Sequence, residues 1–183
     1  GSYYDKEFIV VDRISYRFSQ PDRWDVVVFT PHVHKDKKYF LKRIIGLSGD
    51  SIKIDAGHVY LKKSGEWEYT KLNEAYLDDS NNGFTDVNGS DGIHEYTIPA
   101  NSYFVMGDNR NHSTDSRTCF STCFLEQNSS FIISSDIIGK VWMDLGYFNI
   151  SDFSFTHPNL AIPTSPRWLN SPRNWEYSWN DSI

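Results

Sequence analysis

Tyr39-Phe40-Leu41-Lys42-Arg43-Ile44-Ile45-Gly46 is rich in aromatic and β-branched residues and runs into the turn cluster Gly46 to Asp50, so it reads as a β-strand. Side chains alternate across a strand, and Phe40, Lys42 and Ile44 therefore share one face. A lysine between apolar neighbours admits two accounts. Burial disfavours the ammonium form and lowers the pKa, and the resulting neutral amine can act as a general base toward a serine hydroxyl. The same pattern also suits a gatekeeper lysine on an exposed edge strand. Periodicity alone favours the gatekeeper.

Outward from this strand, Phe8-Ile9-Val10-Val11, Asp25 to Phe29, Ser51 to Ile54 and His58 to Leu61 are further short runs of strand character. Ser19-Gln20-Pro21-Asp22 and Gly46 to Asp50 separate some of them as turns. Aromatic residues at 16%, with Gly, Asn, Ser, Asp and Pro scattered between them, favour many short strands over long helices. The expected fold is all-β, an antiparallel barrel or sheet with strands following one another as in a meander. From Gly57 the composition turns loop-like, around Asp78 to Gly83 and Asn88 to Gly92, and strand character returns at Tyr103 to Met106, Phe131 to Ile133 and Ile137 to Trp142. The expected division is a β core of residues 3–56 and 99–147, a small inserted β subdomain at 57–98, and a C-terminal extension at 148–183. Trp168, Trp175 and Trp179 in that extension are spaced too irregularly for a helix face. They suit an arm docked on the surface or an interfacial membrane contact.

A net charge of −6 with no basic stripe argues against a nucleic-acid partner. No apolar run approaches the ~20 residues that span a bilayer. Gly1-Ser2 reads as a scar of cloning, so no weight rests on where the chain starts. Cys119 and Cys123 can close a small disulfide loop if the backbone turns tightly, and two thiols fit the count equally well. No metal is expected, because Cys-x3-Cys needs two further ligands and only His112 is near. The histidines, including His32, His34, His58, His94 and His157, form no HExxH or triad pattern and read as surface residues.

The densest polar stretch is Gly107-Asp108-Asn109-Arg110-Asn111-His112-Ser113-Thr114-Asp115-Ser116-Arg117, directly after a strand. Its interleaved arginines oppose a bound cation and favour internal ion pairs that hold a shaped loop. Together with Asp25 to Phe29 and Lys42-Arg43-Ile44-Ile45-Gly46-Leu47-Ser48-Gly49-Asp50, this stretch resembles the type I signal peptidase family in order and content. Ile14 to Phe18, Asn73-Glu74-Ala75-Tyr76-Leu77 and Ile138-Gly139-Lys140-Val141 extend the resemblance over roughly residues 8 to 145.

The resemblance implies a serine–lysine endopeptidase that needs no cofactor and removes signal peptides from exported preproteins at Ala-x-Ala-like sites. In it Lys42 is the general base, Ser113 orients the Lys42 amine, Asp115 and Arg117 form a supporting pair, and Asp108, Asn109 and Arg110 shape the same loop. Phe40 and Leu41 are expected to line the pockets for small substrate side chains. The implied location is the plasma membrane, with the catalytic domain on the extracytoplasmic side and an anchor ahead of Tyr3. The family's Ser-Met-x-Pro-Thr string is absent from this sequence, and Ser2 lacks the flanking Met and Pro. The chain as given is therefore expected to be inactive. Ser48 stands where the family has proline, and Trp24 where it has glycine. Two other functions stay open: a non-catalytic module that captures extended peptides, and a related serine–lysine peptidase of the pilin-processing or self-cleaving repressor type.

Overall fold

The structure is a computed structural model that describes residues 7–33, 39–87, 94–123, 129–149, 154–156 and 167–168. The described residues form twelve strands: β1 (Glu7–Asp12), β2 (Val26–Phe29), β3 (Phe40–Gly46), β4 (Ser51–Asp55), β5 (His58–Lys62), β6 (Thr70–Lys71), β7 (His94–Thr97), β8 (Ser102–Met106), β9 (Ile132–Ile133), β10 (Ile137–Asn149), β11 (Ser154–Thr156) and β12 (Arg167–Trp168). Short 3-10 turns are the only helical elements among the described residues. The all-β expectation holds, and every strand pairing is antiparallel.

The first sheet runs β1-β10-β2-β3-β8-β9, with β11 and β12 also pairing with β10. A simple meander is not what forms. β2 and β3 make a hairpin, but β10 lies between β1 and β2, so the first strand is held by a strand more than a hundred residues later. β10 is long enough, at 13 residues, to serve several neighbours in turn, and irregular registers let it bend between them.

The second sheet runs β6-β5-β4-β7. β4 belongs to it, pairing with β5 and β7, so this sheet starts at Ser51 and not after residue 56. Its apolar face shares a core with the first sheet. Ile52, Ile54, Val59, Leu61, Val87 and Ile98 pack with Ile45, Phe104 and Met106. On the opposite face of β3, Ile44 joins Val27, Phe29, Tyr103, Val105, Phe120 and Ile132. The adjacent residues Ile44 and Ile45 are both completely buried. β3 is thus covered on both faces, and each such side chain contributes about 1.5–3 kcal/mol by leaving water.

A left-handed turn caps the second face. Cys119, Phe120 and Ser121 all have positive φ, at 45°, 53° and 67°, and a disulfide joins Cys119 to Cys123. Left-handed backbone costs a non-glycine residue roughly 1–2 kcal/mol. Here it delivers the Phe120 ring into full burial, edge-on to Phe29 at 5.6 Å and to Phe40 at 5.9 Å. In the C-terminal extension, the described segments pair with β10, while Trp175 and Trp179 lie outside the described residues.

Candidate active site

Lys42 stands opposite Val27 in the β2–β3 pair and between Phe40 and Ile44 along its own strand. Phe40 stacks on Phe29 at 5.8 Å, and the half-buried Lys42 shares their face of the sheet. Burial is the largest influence on the amine and pushes its pKa below the ordinary lysine value. Asp115 and Asp108 draw it upward, Arg117 pushes it down further, and burial prevails. At Lys42 the described strand partner is β2 alone, since the ladder to β8 begins at Arg43, and what speaks against the gatekeeper alternative is the burial of the amine.

β8 ends at Met106 opposite Arg43, which brings the next residue, Gly107, level with Lys42. A Cβ on Gly107 would lie 2.1 Å from Ser113 Oγ, 2.7 Å from Ser113 Cβ and 3.6 Å from Lys42 Cδ. Lys42 and Ser113 therefore both approach a residue whose lack of a side chain makes room for Ser113. Ser113 Oγ is buried and has no hydrogen-bond partner among the described residues. The hydrogen bond to Lys42 that the family resemblance implies is thus not formed in this structure, although the two side chains share the same small space. A buried hydroxyl without a partner costs about 1–3 kcal/mol, a cost that a serine kept for packing alone would be expected to avoid.

Gly107 is held at both of its backbone polar groups. Its N–H donates to Asp115 Oδ2 at 3.0 Å, and its carbonyl accepts from Arg110 Nε at 3.1 Å. Asp115 is fully buried and also accepts from the Arg117 backbone at 3.1 Å and from Arg117 Nε and Nη2 at 3.0 and 2.8 Å. Burial alone would raise the Asp115 pKa, but the bonds and charge of Arg117 outweigh it and hold the carboxyl below the ordinary aspartate value. Arg117 closes the loop by donating to the carbonyls of Arg110 and Asp86 at 2.9 and 2.7 Å.

Asp108 receives a two-point grip from Arg43, the neighbour of Lys42, at 3.0 and 2.7 Å. Burial pushes the Asp108 pKa up, and Arg43 more than reverses that. Asn109 enters through its carbonyl, which accepts from the His112 N–H at 3.3 Å. Arg110 is only 2% exposed and reaches Glu74, Tyr76 and Thr85 from the segment that follows the second sheet's hairpin. Phe40 and Leu41, expected to line the pockets for small substrate side chains, are neighbours at the start of β3, both partly exposed, and alternate across it. His32, read as a surface residue, is 42% exposed at its side chain and contacts Asp136 at 2.7 Å. His34 and His157 lie outside the described residues.

Several residues of this site were not singled out from the sequence. Gly107 is one, and its place at the end of a strand, ahead of a polar loop, was the available signal. Glu74 and Tyr76 are others, visible only as part of a resembling segment. Trp24 was marked in the sequence only as standing where the family has glycine. It sits at φ 76° where a glycine would be unstrained. Its ring lies 5.7 Å from that of Tyr76, and its carbonyl accepts from Arg43 Nη1 at 3.0 Å, contacts that offset the backbone cost.

The family model described as signal peptidase, peptidase S26, matches residues 1–145, and the chain belongs to that family. It is 38% identical over 114 residues to signal peptidase I U of Bacillus subtilis, covering 62% of this chain and 57% of that one. It is 32% identical over 117 residues to signal peptidase I of Leptolyngbya laminosa, covering 59% and 49%. With signal peptidase I of Bacillus caldolyticus it shares 31% identity over 153 residues, covering 80% and 72%. The chain spans about half the length of the first of these curated relatives. Among the described residues no helix is long and apolar enough to cross a membrane, and no group of three or more His, Cys, Asp or Glu is placed to hold a metal ion.

Proposed function

We propose that this chain carries the general-base half of a serine–lysine endopeptidase that removes N-terminal signal peptides from exported preproteins at Ala-x-Ala-like sites. The observation that carries the reading is the convergence of a half-buried Lys42, its amine pKa lowered by burial, with an unpartnered Ser113 hydroxyl over Gly107. Membership of the signal peptidase family supplies the reaction class.

In this mechanism the nucleophile is a serine belonging to residues ahead of β1, since the family's Ser-Met-x-Pro-Thr string is not in this sequence. Neutral Lys42 takes the serine hydroxyl proton as the oxygen attacks the scissile carbonyl. The resulting ammonium returns that proton to the amine leaving group as the C–N bond breaks, giving an acyl-enzyme. Lys42 then takes a proton from water for the hydrolysis of the ester, and the serine recovers it. Ser113 steadies the amine through these transfers, and the buried Asp115–Arg117 pair fixes the backbone on which Ser113 rests. The substrate lies extended, with its backbone paired to a strand edge. Phe40, packed from behind by Phe29 and Phe120, forms a wall on the Lys42 side. The working location is the outer side of the plasma membrane.

The test is cleavage of an Ala-x-Ala preprotein by the native-length protein beside its Lys42→Ala variant. Cleavage that disappears with Lys42 supports the reading. Cleavage that persists removes Lys42 from the mechanism, and no cleavage by the unaltered protein favours a module that only captures extended peptides.

A further inference from the structure

All five guanidinium N–H groups of Arg110 are used. Nε holds the Gly107 carbonyl at 3.1 Å. Nη1 donates to Glu74 Oε2 at 3.0 Å and Thr85 Oγ1 at 2.9 Å, and Nη2 donates to Glu74 Oε1 and to the Tyr76 hydroxyl at 2.9 Å. Four of the five thus end on the segment that follows β6, while the fifth ends on the glycine that Lys42 and Ser113 both approach. The Tyr76 hydroxyl in turn donates to Glu74 Oε1 at 2.7 Å. Burial, with the charge of Glu74, keeps this phenol protonated against the pull of Arg110 and Arg43.

Tyr76 also touches the other arm of the site. The Arg43 guanidinium lies over its ring, 4.3 Å from the centroid, and the same guanidinium grips Asp108, the residue after Gly107. One phenol therefore braces the strand neighbour of Lys42 with its face and the anchor of Gly107 with its hydroxyl. Two separate paths, through Arg43 and through Arg110, set the distance between β3 and the loop carrying Ser113.

We infer that Tyr76 and Glu74 are positioning residues for the reaction: they fix Gly107 through Arg110 and hold β3 against the Gly107 to Arg117 loop through Arg43, so that Lys42 and Ser113 stay in register. This rests on the reading of Lys42 as the general base. The segment after the second sheet's hairpin is then part of the support of the catalytic centre. Displacements of about 1 Å in such a support can cost up to a hundredfold in rate.

The test has two arms. In the 183-residue chain, Lys42 is titrated by NMR of its labelled side chain, in the unaltered protein and in Tyr76→Phe, Glu74→Gln and Tyr69→Phe. The charges acting on the amine are Asp115, Asp108 and Arg117, with the Asp25–Lys140 pair on the same sheet face. None of the three substitutions removes any of these. Tyr76→Phe and Glu74→Gln free Gly107 and the loop carrying Ser113 to shift, admit water to the Lys42 amine and move its titration upward, toward an ordinary lysine, by about half a unit or more. Tyr69→Phe, which breaks an exposed contact with Glu95 in the second sheet, leaves it unchanged. In the native-length protein, the first two variants lower kcat by about ten- to a hundredfold with KM little altered.

A Lys42 titration and kcat that stay put in both variants, whatever happens to the melting temperature, overturn the inference and leave Tyr76 and Glu74 as fold residues only. Because the NMR arm requires no cleavage, it decides the matter even if the native-length protein proves inactive. Glu74→Gln preserves the shape of the bonded group and serves where Tyr76→Phe folds poorly.

Discussion

Gly107→Ala should damage the site through one identifiable contact. Gly107 is not at a positive φ, so alanine meets no backbone penalty there, and the effect comes from space alone. The new methyl would fall 2.1 Å from Ser113 Oγ and 2.7 Å from Ser113 Cβ, both far inside van der Waals contact, whereas the 3.6 Å to Lys42 Cδ is ordinary. Overpacking of this kind costs about 1–3 kcal/mol. For a chain of this size, about 2 kcal/mol corresponds to a fall of about 4–8 °C in melting temperature. The colliding atoms belong to one side chain, so Ser113→Gly should relieve the clash. Urea unfolding of Gly107→Ala, Ser113→Gly and the double variant forms a closed cycle, with an expected favourable coupling of about 1–2 kcal/mol. Ser113→Ala in place of glycine should recover only part of it, since Cβ remains. Additive free energies, or a Gly107→Ala variant as stable as the parent, would refute the placement of Ser113 over Gly107 and with it the proposed approach of Ser113 to Lys42.

Further outcomes follow from the same contacts. Lys42 has its folded pKa lowered, so the unfolded chain binds the extra proton in the window between that value and the ordinary lysine value. The folded state is penalised below this window, and Lys42→Met should be more stable than the parent there, with the gap closing as pH rises toward about 10.4 in calorimetric scans. Asp115 behaves in the opposite sense. Its lowered pKa contributes stability that is complete above the unfolded value of about 3.9 and is lost as pH falls through the folded value. Asp115→Asn leaves Arg117 buried without its counter-charge and should cost about 3–5 kcal/mol near neutral pH, with parent and variant converging in strong acid. Replacing both Cys119 and Cys123 by serine frees a short loop worth about 2 kcal/mol by chain entropy, and the melting temperature should fall accordingly. An unchanged melting temperature would show that the left-handed turn holds Phe120 without the crosslink.

How much of this could be read beforehand follows from which interactions are local. The alternation Phe40, Lys42, Ile44 placed the lysine on an apolar face because strand periodicity is written in adjacent residues. The density of Asp, Asn, Ser and Arg from Gly107 to Arg117 announced a loop bound by its own charges, and the Asp115–Arg117 pair lies within it. The partners of Arg43 and Arg110 could not be named, since a guanidinium finds its carboxylate through the fold: Asp108 lies 65 residues from Arg43, and Glu74 36 from Arg110. Ser51 to Ile54 looked like core because its apolar residues do face a shared core, yet its hydrogen bonds go to the second sheet. The turn at Cys119 carried no glycine to announce left-handed backbone, and Trp24 concealed another such position. Both are stabilised by distant aromatic contacts that no local signal encodes.

The place of β10 between β1 and β2 bears on the order of events during synthesis. β1 is an edge strand whose described partner is β10, so nothing completes its ladder until residues 137–149 have left the ribosome. Closing a contact across that span is slow compared with forming the β2–β3 hairpin. Lys42 and the Gly107 to Arg117 loop can therefore take shape before β1 is paired. A nascent chain stalled before residue 137 should therefore show a protected β2–β3 hairpin and an exchanging β1 in hydrogen-exchange measurements.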